Sequence, residues 1–398
     1  MPKESNVSAY LPPNFTQGFA PAPTPQGPLS GLRVGVKDLF DVVGYVTRAG
    51  SHARAAQPAA TRDAEAVARL RAAGAELVGH TNMTEFAYSG LGLNPHFGTP
   101  MSPIVHGAIA GGSTSGGAAA LASGQIDIAL GTDTGGSLRI PAAFCGVVGM
   151  KPTAATIPAQ GAAALSHTLD SVGAMARDVT TLRRAQEVLA TPAPQNAPQA
   201  APLRRLIVPE SFGMTDLDPE VARAFEACLA ILADLGFGIE RRDPGFLADY
   251  ARLPIWQFAA VESRVHHAGP YETSPDLIDP RVRARMDRAD EVDAVTYAKS
   301  LAQRASIAAQ ARDELGEAGI VLPTVAILPP QLSAFDDPAA FDRLNLLALR
   351  NTSLANVIDG CSISLPIKAT PGAGLMLTAP GFRDAALLDA AERIALRL

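Results

Sequence analysis

The sequence predicts an α/β fold, and three observations carry that expectation. Short apolar runs of strand length recur along the chain and alternate with helical stretches, several of which close on glycine. The alternation continues on both sides of the one internal Pro/Ala/Gln-rich seam, so a single sheet is expected to cross it. At 398 residues with 47% hydrophobic content, the chain can bury a large core, as one domain with a variable cap or as two domains.

Taken in order, residues 1–29 are rich in Pro, Ala and Gln (Pro12, Pro13, Pro21, Pro23, Pro25, Pro28) and read as an extended arm that does not pack. Leu32 to Val36 is a short strand that delivers Lys37 and Asp38. Thr61 to Ala73 is an amphipathic helix with Thr61 or Asp63 as its cap and Gly74 after its end. Leu77 to Gly79 is the next strand, leading into His80–Gly90. Ala118 to Ser123 is a compact helix stopped by Gly124, and Ile126 to Leu130 a strand. Val179 to Leu189 is a helix capped by Asp178 or Thr180, and residues 191–203 form the seam. Arg205 to Val208 is a strand, and Asp218 to Leu235 a long helix ending at Gly236. Residues 240–300 hold the single tryptophan, Trp256, and a charged helical stretch from Arg281 to Asp293. They read as a lid, a specificity wall or a subunit contact that would make a homodimer. Ile320 to Pro323 is a strand, and Asp384 to Leu396 closes the chain as a helix.

The chemistry concentrates between Gly111 and Ser137. Gly111, Gly112, Gly116 and Gly117 bracket Ser113 and Ser115, and Gly135 and Gly136 deliver Ser137 on a tight turn. Each serine thus sits beside exposed N–H groups at the edge of a rigid element, which is what acyl transfer needs: a held hydroxyl, and donors where an oxyanion forms. Gly/Ser turns are common, so the alternatives are a plain connection or a phosphate cradle. The phosphate motif G-x-x-x-x-G-K-[ST] is absent, as is the G-x-S-x-G elbow. A lysine upstream adds weight. Only five of the 33 basic residues are lysines (Lys3, Lys37, Lys151, Lys299, Lys368), so each one marks a place where an amine that can lose its proton is worth asking about.

These stretches resemble the amidase signature family, including its compact members of the indole-3-acetamide hydrolase type. Gly111–Gly117 is similar to its first serine loop, and Gly131–Arg139 (G-T-D-T-G-G-S-L-R) to its core motif. Pro141–Thr153 continues the likeness, and G-V-K-D at Gly35–Asp38 supplies the lysine. The likeness covers residues 30–180, with a weaker echo from Asn351 to Pro366. It implies a large mixed β-sheet flanked on both sides by helices, over residues 30–398 as one domain. It implies a Ser–cis-Ser–Lys triad in which Ser137 is the nucleophile, Ser113 the relay and Lys37 the base, with a cis peptide before Ser113. The relay requires Lys37 to be neutral near pH 7, well below its ordinary value. The oxyanion hole would use the N–H groups of Thr134, Gly135, Gly136 and Ser137. The family's acyl pocket would place Ala87, Tyr88 and Ser89 on one wall; the alternative is a strand–helix connection with core aromatics. Asp133 and Arg139 would support the Ser137 loop, or Arg139 would hold a substrate carboxylate. Lys151 and Cys145 read as structural.

Composition narrows the partners. A net charge of −6 argues against nucleic acid or anionic membrane, and no apolar run of ~18 residues exists to cross a bilayer. The three cysteines (Cys145, Cys228, Cys361) form no C-x-x-C, no metal site is expected, and a reducing cytoplasm is the natural compartment. The adjacent His266 and His267 read as a solvated helix face. The expected reaction needs no cofactor: a small carboxamide is cleaved to acid and ammonia. The alternatives are a glutaminase-type subunit of a tRNA-dependent amidotransferase, or a hydrolase of carbamates, esters or urea derivatives.

Overall fold

The computed structural model describes residues 13–192 and 201–398, so the expectations for residues 1–12 and for most of the 191–203 seam lie outside the described residues. Eleven strands form one sheet. They are β1 (Phe15–Gly18), β2 (Arg33–Lys37), β3 (Glu76–Thr81), β4 (Ile128–Asp133), β5 (Val148–Lys151), β6 (Ser171–Ala176), β7 (Arg205–Val208), β8 (Gly238–Arg241), β9 (Gly319–Pro323), β10 (Cys361–Pro366) and β11 (Gly374–Ala379). Their order across the sheet is β1-β3-β2-β4-β6-β5-β10-β11-β9-β7-β8. The β3-β2-β4 and β9-β7-β8 neighbours run parallel, and the six pairings at β1-β3 and from β4 to β9 are antiparallel. The sheet is therefore mixed, and it crosses the seam as the alternation implied.

Helices cover both faces, and the two-residue period of the strands sorts the side chains between them. In β4, Ile128 and Leu130 join the core beneath the Glu65–Ala72, Val179–Leu189 and Asp384–Ala395 helices. Ala129 between them packs on the opposite side with the Ser115–Ala122 and Arg139–Cys145 helices. The small residues of that side let the two serine-bearing segments lie close to the sheet.

Two expectations need correcting, and the causes are tertiary. The Pro-rich arm is not wholly unpacked: Phe15–Gly18 adds an edge strand to β3, with Phe15 opposite Thr81. The helix expected from Thr61 begins at Glu65 because the residues before it are bonded elsewhere. Asp63 accepts the Val43 N–H at 2.9 Å, and Ala64 N–H donates to the Asp41 carbonyl at 2.8 Å. By contrast, Val179–Leu189 and Arg205–Val208 lie where the sequence places them, with Asp178 accepting the Thr181 N–H at 2.7 Å. The histidine pair divides. His266 is exposed, whereas His267 is buried and stacked on Phe86 with ring centroids 4.1 Å apart.

Candidate active site

The site lies where β2 and β4 end side by side. Lys37 is the last residue of β2 and is completely buried, within reach of Thr132 in β4. Its Nζ donates to Ser113 Oγ at 2.7 Å, to Thr132 Oγ1 at 3.1 Å and to the Thr132 carbonyl at 3.4 Å. Burial lowers its pKa to about 7, against the opposing pull of the Asp170 and Asp133 carboxylates. An amine in this state gives up its proton near neutral pH, and the hydroxyl of Ser113 is its nearest partner.

Ser113 follows a cis peptide from Gly112 and stands two residues before the Ser115–Ala122 helix, whose N-cap is Thr114. Glycine is required at Gly112, where a Cβ would sit 2.6 Å from the Gly92 nitrogen. Ser137 comes from the other loop, after Gly136, whose φ of +137° is closed to most side chains. The two loops are joined by the Thr114 N–H, which donates to the Ser137 carbonyl at 3.3 Å. All three residues of the expected triad are thus brought to one place.

Beneath the Ser137 turn, Asp133 organises the backbone. Its carboxylate accepts the Gly136 N–H at 2.8 Å and the Leu138 N–H at 3.1 Å. Arg139 closes on it with two hydrogen bonds at 2.7 and 3.0 Å, and Asn356 adds one at 3.0 Å. Burial alone would raise the Asp133 pKa; the Arg139 guanidinium and these bonds hold it below the ordinary value. Two expectations change here. The Gly136 N–H is occupied by Asp133 and cannot serve an oxyanion, while those of Thr134, Gly135 and Ser137 find no acceptor among the described residues. Arg139 does not reach a substrate: it is fully buried, bonded to Asp133, Asn356 and the Thr352 carbonyl. Arg139→Met is accordingly expected to destabilise the fold by roughly 3–5 kcal/mol, because it leaves Asp133 buried and uncompensated. Urea denaturation followed by circular dichroism checks this, and a change under ~1 kcal/mol would contradict it.

A cavity of about 1060 Å³ opens onto Thr134, Gly135 and Ser137. Ala87, Tyr88 and Ser89 line it, as the resemblance implies, on a turn where Phe86 and Ala87 take left-handed backbone angles (φ +50° and +60°). Ser89 Oγ is fixed by Asn345 at 2.9 Å. Residues 240–300 contribute Trp256, Arg281, Arg285 and Arg288 to the wall. Sequence reasoning did not single out Thr132, Asp170 or Asn356. Asp170 accepts from Thr134 Oγ1 at 2.5 Å and from the Leu165 N–H at 3.0 Å. Burial raises its pKa to about 6, opposed by those hydrogen bonds and by Lys37. Asn356 falls inside the Asn351–Pro366 segment already marked by the resemblance, which was the available signal. Lys151 is structural as expected, its Nζ clamped on the Pro152 and Gly360 carbonyls at 2.9 and 2.6 Å.

With this geometry in hand, the likenesses to known proteins are informative. The chain is 35% identical to 2-amino-5-chloromuconic acid deaminase of Comamonas testosteroni, covering 92% of this chain and 81% of that one. It is 32% identical to indoleacetamide hydrolase of Pseudomonas syringae pv. syringae, covering 91% and 84%. A crystal structure of an amidase superposes with a TM-score of 0.82 at 30% identity, over 94% of this chain and 86% of its own. The sequence model of the family described as Amidase matches residues 17–388, which takes in all three serine and lysine segments and both walls of the cavity. The chain belongs to the amidase family and is a hydrolase of amide C–N bonds.

Proposed function

We propose that this protein hydrolyses a carboxamide carried on an apolar, aryl-sized acyl group, through an acyl-enzyme on Ser137. The observation that carries the reading is the buried Lys37 amine, lowered to about 7 and 2.7 Å from Ser113 Oγ, at the head of a cavity that Ser137 lines. Ser137 Oγ attacks the amide carbon as its proton passes through Ser113 to neutral Lys37. The N–H groups of Thr134, Gly135 and Ser137 receive the oxyanion. The proton returns by the same route to the leaving nitrogen, the C–N bond breaks and ammonia departs. Water, deprotonated by the same relay, then attacks the ester carbon; the acid leaves and Ser137 regains its proton. The side chains in this scheme suffice for each proton transfer.

The cavity walls favour an acyl group of some size. Tyr88, Leu165, Phe212, Trp256 and Phe341 face a volume well above that of a two-carbon acyl chain. One relative is named for an indole amide and another for an acidic substrate, and the walls hold both aromatic and arginine side chains. Three buried cysteines without disulfides support a reducing, cytoplasmic setting, and among the described residues no helix is long and apolar enough to cross a membrane.

The test is ammonia release from phenylacetamide, indole-3-acetamide, malonamate, glutamine and a urea derivative, with mass spectrometry of acid-quenched protein. The expected result is fastest release from the aryl amides and an added acyl mass on the peptide containing Ser137. Fastest release from glutamine would move the reading to an amidotransferase-type glutaminase. An acyl mass on another residue would overturn the assignment of Ser137.

A further inference from the structure

The charges of the cavity do not match those of the chain. The protein carries a net charge of −6, yet four of the charged side chains lining the cavity are arginines (Arg281, Arg285, Arg288, Arg350) and only Asp342 is acidic. Two of the four are neutralised in place. Arg281 is held by Asp279 at 2.6 Å, and Arg285 by Asp342 at 3.0 Å and the Tyr88 carbonyl at 2.8 Å. Arg350 bonds mainly to neutral oxygens and lies 4.0 Å from Asp216.

Arg288 differs from the other three. Its guanidinium lies over the Trp256 ring, with Cζ 3.6 Å from the ring centroid. Its Nε makes one long hydrogen bond, at 3.4 Å, to Glu291, and both of those side chains are solvent-exposed (42% and 57%). Its two terminal nitrogens have no acceptor among the described residues. A guanidinium seated over an aromatic face at this distance leaves its N–H edge pointing away from the ring and available. That edge matches the two oxygens of a carboxylate. Fixing the plane by stacking also lowers the entropy lost when the fork closes on an anion. A fork seated on Trp256, with only a long, exposed contact to Glu291, in the wall of the cavity that Ser137 lines, is suited to receive an anionic group.

We infer that Arg288, seated on Trp256, binds a carboxylate at the end of the acyl group. The preferred substrate is then an amide whose acyl part carries a second, ionised carboxyl group across an apolar aryl or chain spacer. Arg350 adds positive potential from another part of the wall, and Tyr88, Leu165 and Phe341 contact the spacer. This inference rests on the reading of the cavity as the acyl pocket of Ser137.

The experiment pairs phenylacetamide with its para-carboxylate, as substrates of the active protein and as ligands of the Ser137→Ala protein in titration calorimetry. In the active protein the carboxylate is expected to be preferred in kcat/KM. Arg288→Gln is expected to lower that preference ratio by about ten- to a hundred-fold, mainly through KM, with Arg288→Lys restoring part of it. In the Ser137→Ala background, the same Arg288→Gln change is expected to weaken binding of the carboxylate by a similar factor. A preference ratio and a binding ratio both unmoved by Arg288→Gln would overturn the carboxylate site while leaving the amidase reading intact. Continued hydrolysis of either amide by Ser137→Ala would instead overturn the Ser137 reading, with the calorimetric ratio still deciding the role of Arg288.

Discussion

Ser137→Ala is expected to lower kcat/KM on every amide the protein cleaves by on the order of 10⁴–10⁶-fold, with the fold retained. The chemical part follows from the covalent step: without Oγ there is no acyl-enzyme, and the relay through Ser113 has no nucleophile to deprotonate. The structural part follows from the surroundings. The Ser137 side chain makes no hydrogen bond to the rest of the described protein, so its removal leaves no buried partner unpaired. The turn is held by the backbone instead, through the Gly136 and Leu138 N–H groups on Asp133 and the Thr114 N–H on the Ser137 carbonyl. Ammonia release and thermal denaturation, run on the same preparation, check both halves. Activity within about ten-fold of the original protein would remove Ser137 from the nucleophile's place. Ser113→Ala is a harsher change by the same reasoning, since it takes from Lys37 its 2.7 Å partner as well as breaking the relay.

How much of this site could be read before the fold was known depended on how local its causes were. The serine loops were legible because their geometry is set by neighbouring glycines. Gly112 has no room for a Cβ, and Gly136 has a backbone angle few side chains accept. The same holds for the Val179–Leu189 helix, capped by its own preceding residue. What could not be read was decided by partners far along the chain. Asp133 claims the Gly136 N–H only because Arg139 and Asn356 hold the carboxylate in position, and Asn356 is 223 residues away. Arg139 was open to a substrate role on sequence, and its burial beneath the Thr352 carbonyl excludes that. The strand expected at Ile126 begins at Ile128, with the Asp127 N–H donating to the Arg33 carbonyl at 2.8 Å just before the β2–β4 pairing starts. The far wall of the cavity, with Trp256 under Arg288, comes from residues that matched no motif, and only the fold brings them opposite Ser137.

Lys37→Ala is expected to lower kcat/KM by roughly 10³-fold or more, and Lys37→Arg to be equally inactive despite keeping the positive charge. The second variant is the informative one. Arginine offers the same charge on a longer side chain but does not release its proton in a protein, so a purely electrostatic role would be rescued and a base would not. The original protein should show the base directly. With Lys37 lowered to about 7, kcat/KM rises with pH through that value and levels above it. Asp170 exerts the largest charge effect opposing the shift, so Asp170→Asn is expected to lower the Lys37 pKa further and move the rising limb to lower pH. The same titration appears in stability. Between about 7 and the ordinary 10.5, the unfolded chain carries a proton on Lys37 that the folded protein has lost. Folding is therefore penalised at neutral pH and relieved as the pH rises through that window; below about 7 both states are protonated and the penalty is constant. The relief amounts to on the order of 5 kcal/mol across the whole window. Denaturant titrations at pH 7, 8 and 9 should show the original protein gaining stability relative to Lys37→Ala across that range. Parallel curves for the two proteins would mean that Lys37 stays protonated in the fold, and the base in the proposed relay would have to be another group.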